Sequence, residues 1–236
     1  MILMDKLKIG LIFADDTEYV PFVKRMEKYT VKNEKKRGNE GCVITAEKNG
    51  RIIEIHAVQS GIGKVRAASA AAFLIADDKV DWVMNLGFSG AVSGLRRGMI
   101  ACGESYCEVD FDLSPLGYKL GQKEREAAVI IPADKALLDL VCRLDYVVKS
   151  KMGTGDYFLD DSARKKAVYE EFGVNSFDME SAAIADVCSR LDVPFVSIRK
   201  ISDSADDNAT GDYCNMAYND DASLSETMFD FIENVL

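Results

Sequence analysis

The chain has 236 residues, long enough for one sizeable core and within the usual span of a single α/β domain. Its 29 basic against 39 acidic side chains give a formal charge of −10, and no basic run is longer than the three residues of Lys35-Lys36-Arg37, which excludes a nucleic-acid partner. No apolar stretch approaches the ~20 residues needed to cross a bilayer, and the N-terminus runs into charged residues without a secretory apolar segment, so a soluble protein with no membrane partner is expected.

Six cysteines, at positions 42, 102, 107, 142, 188 and 214, form no Cys-x-x-Cys pair, which fits a reducing cytoplasm. A single histidine, His56, leaves too few imidazoles for a His-built zinc site, and no metal is expected.

In chain order, Lys8 to Ala14 reads as a buried strand, and Asp16 to Tyr29 as a helix with acidic residues at its start, where the dipole favours them. The polar segment from Val31 to Gly41, with the basic run between Glu34 and Glu40, reads as a solvated turn. Residues 42 to 46 and 51 to 58 form a hairpin around Asn49-Gly50. Alternation in the second strand places Ile53, Ile55 and Ala57 on one face and His56 on the other, as a strand-surface residue.

Gln59 to Lys64 is a Gly-rich turn feeding an Ala-rich helix from Val65 to Ile75. It lacks the third glycine of a dinucleotide fingerprint and the spacing of a phosphate loop, so it reads first as tight packing, with its backbone amides open to a ligand. Asp81 to Leu86 is a strand that breaks at Gly87. Met99 to Asp110 is extended, and 112 to 118 is a loop with enough apolar content to pack on something. Lys135 to Leu144 is helical, Tyr146 to Gly153 extended, Ser162 to Phe172 a surface helix, and 222 to 235 the final helix. Strands alternating with helices indicate a three-layer αβα domain with a mostly parallel or mixed central sheet.

The most informative residues come late. Glu180 opens an Ala-rich helix and Asp203 ends the buried-looking strand Val193 to Asp203, where an open α/β sheet presents groups to a small ligand. Each has an alternative reading: Glu180 as a first-turn residue favoured by the helix dipole, Asp203 as a helix N-cap. Arg199, among Val196, Ile198 and Ile201, needs an anion, and carboxylates at other strand ends are the candidates, Glu18 among them.

Together, Gly10 to Glu18, Ser60 to Lys64, Asn85 to Gly90, Gly155 to Phe158, Asp178-Met179-Glu180 and Arg199 to Asp203 resemble the nucleoside phosphorylase/nucleosidase superfamily, in its order and across nearly the whole chain. Within it the sequence is most similar to the 5′-methylthioadenosine/S-adenosylhomocysteine nucleosidases. The resemblance implies a mixed sheet, a purine nucleoside substrate and hydrolysis of its N-glycosidic bond without a cofactor. It implies Asp203 as the acid for purine N7, Glu18 as the base for water with Arg199 helping to hold that water, and Glu180 with the Met179 backbone at the sugar. It also implies Phe158 stacking on the base, the Leu159 backbone reading the purine edge, Ile62 on the sugar side, and Tyr213 closing the 5′ pocket. Leu113, Leu116 and Tyr118 match a segment that a second subunit contributes, which implies a homodimer.

Two positions depart from the pattern. Phe88, with Ser89 one position later, stands where a small hydroxyl residue flanks the water, and Asp15 stands where an apolar residue lines the 5′ side. Asp15 implies either a more polar 5′ substituent or a side chain turned to solvent. Other readings are a phosphorylase, opposed by the acidic segment 14 to 18, and a nucleoside-binding protein with little turnover, suggested by Phe88 and Asp15. A hydrolase acting on another 5′-modified nucleoside, such as a menaquinone-pathway intermediate, is a narrower variant.

Overall fold

Strand β1 (Lys6–Phe13) places consecutive side chains on two apolar faces, and this alternation builds the layers of the molecule. Leu7, Ile9, Leu11 and Phe13 pack with Tyr19 and Phe22 of α1 (Asp16–Arg25), Leu137 of α3 (Lys135–Val141) and Met228 of α7 (Ser223–Asp230). Ile12 faces the other way, toward Ala67, Ala70 and Ala71 of α2 (Lys64–Phe73) and Ala182, Ile184 and Ala185 of α5 (Ser181–Arg190). The result is a three-layer αβα fold around a central mixed sheet. The computed structural model describes residues 6–124, 129–219 and 223–236. Complete burial of a side chain such as Phe22, 0% exposed, contributes about 1.5–3 kcal/mol.

In the sheet β1 pairs in parallel with β4 (Arg51–Gln59) and β5 (Trp82–Ala91), and β5 with β10 (Phe195–Asp203). These four strands therefore end on one edge, which carries Phe13, Gln59, Ala91 and Asp203. On one side β4 continues antiparallel to β3 (Asn39–Lys48) and β2 (Thr30–Lys36). On the other, β10 runs antiparallel to β6 (Ile100–Glu108), which carries the short β7 (Ile131–Pro132) and pairs in parallel with β8 (Val147–Thr154). Strand β8 pairs with β9 (Ser176–Asp178), and β9 returns to β5, closing a ring of five strands. Helix α4 (Ser162–Phe172) covers a smaller cluster through Val168.

Several expectations require correction. The basic run is no solvated turn: Lys36 ends β2 and is 8% exposed, its ammonium held by Glu34 at 2.7 Å and Asp78 at 2.6 Å. These carboxylates offset the cost of taking the ammonium out of water. His56 does lie opposite Ile53 and Ile55, but it is buried between Lys36 and Glu54 rather than exposed. Strand β5 does not break at Gly87 and continues to Ala91. The Asn49-Gly50 turn is as expected, with both residues at positive φ. The final helix is α7 followed by a π-helical turn at Phe231–Val235, and the expected start at Ala222 lies outside the described residues. A further helix, α6 (Ala209–Asn219), was not legible in the sequence pattern.

Candidate active site

A cavity of about 160 Å³ opens at the carboxyl edge of β1, β5 and β10. Its chemistry begins with Glu18, in the first turn of α1. Asp15 caps this helix by accepting from the Thr17 amide, so Glu18 is free to turn inward. Its carboxylate accepts from two main-chain amides, Ala14 at 2.8 Å and Phe88 at 2.9 Å. Burial pushes its pKa up to about 8, with Asp15 and Glu180 adding to the rise and Arg199 and the Ala14 amide opposing it.

Gly87 explains how Glu18 and Arg199 come so near each other. A Cβ on Gly87 would sit 2.6 Å from Glu18 Oε1 and closer still to Arg199 Nη1. The glycine is required by this close approach and not by a turn, which is why the strand continues through it.

Arg199 is fully buried behind the cavity wall and is not part of the lining. Its guanidinium lies 3.4 Å from both Asp178 and Glu180, and donates to the hydroxyls of Ser181 and Ser197, the Phe88 carbonyl and Asn85 Oδ1. Burial works against its charge, but Asp178, Glu180 and Glu18 outweigh it. The anions paired with Arg199 are thus Asp178 and Glu180, while Glu18 acts on it through space.

Asp178 resolves the two readings of Glu180. It accepts from the Glu180 and Ser181 amides, from the Ser181 hydroxyl at 2.5 Å and from Thr154, and so caps α5 itself. Glu180 occupies the N-cap position without a side-chain capping bond. Its carboxylate instead accepts from the Gly63 amide at 3.0 Å, with Gly63 at φ 101°, so a backbone amide of the Gly-rich turn does serve the site. Burial raises the pKa of Glu180, opposed by Arg199.

Asp203 is not a helix N-cap, because α6 begins only at Ala209. One oxygen accepts from the Ala205 amide at 2.7 Å and the other from the Ser202 hydroxyl at 2.6 Å, which fixes the carboxyl plane. Burial raises its pKa, and Asp212 and Asp206 add to the rise against those two hydrogen bonds. A Cβ on Gly90 would lie 2.7 Å from Asp203, as one on Gly87 would crowd Glu18.

The remaining wall is aromatic. Tyr213 meets Phe158 edge-on at 5.6 Å and Phe88 at 6.0 Å between ring centroids, and its hydroxyl lies 3.4 Å from Asp15. Met179, Leu159, Ile62, Phe88 and Ser89 also line the cavity. Ser89 does not restore a free hydroxyl donor, since it donates to the Phe177 carbonyl at 2.7 Å. Asp15 does not turn to solvent, being held by its capping bonds. Leu113, Leu116 and Tyr118 lie outside the cavity of their own chain, with Leu116 72% exposed.

Sequence reasoning missed Asp178, Asn85, Ser181 and Ser197. A signal was present: Ser197 and Arg199 are two apart on one buried strand and so share a face. The arrangement is suited to acid–base chemistry on a neutral ligand with an apolar ring, with the buried carboxyls of Glu18, Glu180 and Asp203 in one lining. Among the described residues, the cavity lining contains no Lys or Arg, and no cluster of His, Cys, Asp and Glu is arranged to hold a metal.

The Phosphorylase superfamily matches residues 8–236. A 5′-methylthioadenosine/S-adenosylhomocysteine nucleosidase of Shewanella pealeana is 34% identical over 214 residues, covering 88% of this chain and 90% of the relative. The structure of the nucleosidase of the same name from Neisseria meningitidis, in complex with methylthio-immucillin-A, is 28% identical with a TM-score of 0.83, over 97% of this chain and 99% of that one. A futalosine hydrolase of Helicobacter pylori, 23% identical with a TM-score of 0.87 over 96% of this chain and 97% of that one, shares the fold.

Proposed function

The chain belongs to the phosphorylase superfamily and, within it, to the 5′-methylthioadenosine/S-adenosylhomocysteine nucleosidases, and from that premise we propose that it hydrolyses the N-glycosidic bond of 5′-thio-substituted adenosines, releasing adenine. The observation that carries this reading is the pair of buried carboxyls of raised pKa, Glu18 and Asp203, in the lining of one cavity with Glu180.

We assign each a role from its surroundings. Asp203, whose pKa burial raises, donates a proton to purine N7 as the bond from C1′ to N9 breaks, so that neutral adenine leaves. Glu18, with a pKa of about 8, removes a proton from the water that adds to C1′. Glu180 lies close to the positive charge that develops on the sugar and binds its hydroxyls. Arg199 is a positioning residue: its guanidinium lies 3.4 Å from Glu180 and from Asp178, behind the wall. Phe158 and Leu159 hold the base, Ile62 and Met179 the sugar, and Phe88 and Tyr213 the remaining apolar wall.

The absence of Lys and Arg from the described lining favours water over phosphate, since a phosphate dianion beside Glu18 would meet only acidic groups. We further propose that residues 1–236 act as one nucleosidase domain in a reducing cytoplasm. No helix among the described residues is long and apolar enough to cross a membrane, and the cysteines are free. A homodimer accounts for the exposure of Ile62 and Phe158 in the cavity lining and of Leu116 outside it: the 113–118 segment of a second copy would close the cavity.

The test is chromatographic detection of adenine from 5′-methylthioadenosine, S-adenosylhomocysteine and adenosine, each with and without phosphate. Phosphate-independent release from the thio-nucleosides is expected. Release only with phosphate, together with ribose 1-phosphate formation, would transfer the chain to the phosphorylases, and folded protein that binds adenine without releasing it would make it a binding protein. A monomer by light scattering with full activity would contradict the shared mouth.

A further inference from the structure

Asp15 is a carboxylate of the cavity whose second oxygen has no strong partner. Oδ1 is committed to the cap of α1, accepting from the Thr17 amide at 2.8 Å and its hydroxyl at 2.6 Å. Oδ2 has only the Tyr213 hydroxyl, at 3.4 Å, beyond the distance of a good hydrogen bond. Glu18 and Asp203, in contrast, each have both oxygens in hydrogen bonds of 2.9 Å or less. Asp15 also lines the cavity, so a ligand that fills it removes water from this oxygen.

The position of Asp15 identifies the part of the ligand it meets. It raises the pKa of Glu18, whereas the acidic groups acting on Asp203 are Asp212 and Asp206. Asp15 therefore belongs to the Glu18 end, away from the group assigned to the base. Tyr213 runs from Phe158 to Phe88 and brings its hydroxyl to Asp15 at that end. With the base at Asp203 and the ribose hydroxyls at Glu180, the part of the nucleoside left for Asp15 is the 5′ substituent.

We propose that Asp15, with Tyr213 beside it, selects adenine nucleosides whose 5′ substituent carries a hydrogen-bond donor, an ammonium or a hydroxyl, over those ending in an apolar methylthio group. The proposal rests on the nucleosidase reading given above. A donor on the substituent replaces the water that Asp15 loses and forms a charge-assisted bond, whereas a methylthio group dehydrates the carboxylate and returns nothing.

Asp15→Asn is the informative variant. Asparagine retains an oxygen to cap α1, so the helix is preserved, but it turns an NH₂ group toward the cavity in place of the anionic acceptor. The measurement is kcat/KM for 5′-amino-5′-deoxyadenosine and for 5′-methylthioadenosine, in wild type and variant at one pH. Any change in Glu18 caused by loss of the Asp15 charge acts on both substrates and cancels in their ratio. The amino-to-methylthio ratio is expected to fall by about ten- to a hundredfold in Asp15→Asn. A ratio the same in both proteins overturns the proposal. If neither nucleoside releases adenine, the hydrolase reading fails on its own. The ratio of calorimetric dissociation constants for the same two nucleosides then decides Asp15: a loss confined to the amino compound supports the selection, and an unchanged ratio overturns it.

Discussion

The floor and the roof of the cavity are built on different principles. Below, Arg199, Asp178, Asn85, Ser181 and Ser197 form a network in which every member is at most 4% exposed and has several polar partners. Above, Phe158, Phe88 and Tyr213 meet by ring edges, and Phe158 and Ile62 are 42% and 52% exposed. Strands and helix caps fix the floor, while loops, α6 and, for Phe88, the last part of β5 carry the roof. Groups that must hold a charge in a fixed place therefore sit where displacement is costly, and groups that recognise an apolar surface sit where a ligand can enter.

The sharpest test of this contrast lies at the junction of floor and cavity. Asp203→Asn keeps an oxygen for the Ala205 amide but cannot supply a proton to the leaving base. A loss of ~10²–10⁴-fold in kcat is expected, with the melting temperature nearly unchanged. If kcat persists, Asp203 is not the acid. Arg199→Met tests the floor itself: it leaves Asp178 and Glu180 buried without their cation, and a loss of about 3–5 kcal/mol in denaturant unfolding is expected. Stability equal to that of the wild type would show that the network is not cooperative.

The sequence carried the residues that reach the cavity better than those that support them. Glu18, Glu180 and Asp203 stand at element ends, where a change of pattern draws attention. Asn85 is a single polar residue within a short apolar run and Asp178 one of several polar residues around Phe177 and Met179, and periodicity assigns such residues a face but no partner. Gly87 misled for a related reason: in sequence, a glycine in a strand resembles a break, and only the neighbouring Glu18 and Arg199 show that it makes room. Lys36 and His56 were misjudged because their burial depends on Asp78, 42 and 22 positions further along the chain. Helix α6 was missed because Gly211, in its first turn, weakens the local helical signal.

The pH dependence extends the comparison to Glu18, which belongs to the floor by its bonds and to the cavity by its role. Its folded value of about 8 lies above the ordinary 4.5, so the folded protein holds a proton that the unfolded chain releases between those values. That contribution to stability is full below about pH 4.5 and is lost as the pH rises through about 8. A thermal midpoint that declines over this range in wild type, and declines less in Glu18→Gln, is expected. Activity depends on the same group in the opposite sense: as a general base Glu18 must be ionised, so its ionisation favours kcat/KM as the pH rises toward 8, set against the falling protonated fraction of Asp203. A kcat in Glu18→Gln equal to that of the wild type would remove Glu18 from the role of base.

The smallest effect belongs to the roof. Phe158→Leu keeps an apolar side chain at a 42%-exposed position, so the fold should lose almost nothing, and the melting temperature should stay within about 2 °C of wild type. What is lost is a flat ring against the base, together with its edge contact to Tyr213. Aromatic pairs contribute ~0.5–1.5 kcal/mol beyond the area they bury, which corresponds to a two- to tenfold rise in KM. Because the ring contacts the base similarly before and during bond cleavage, kcat should change little. A large fall in kcat with KM unchanged would instead make Phe158 part of the reaction's charge balance, and the division between a fixed floor and a recognising roof would no longer hold.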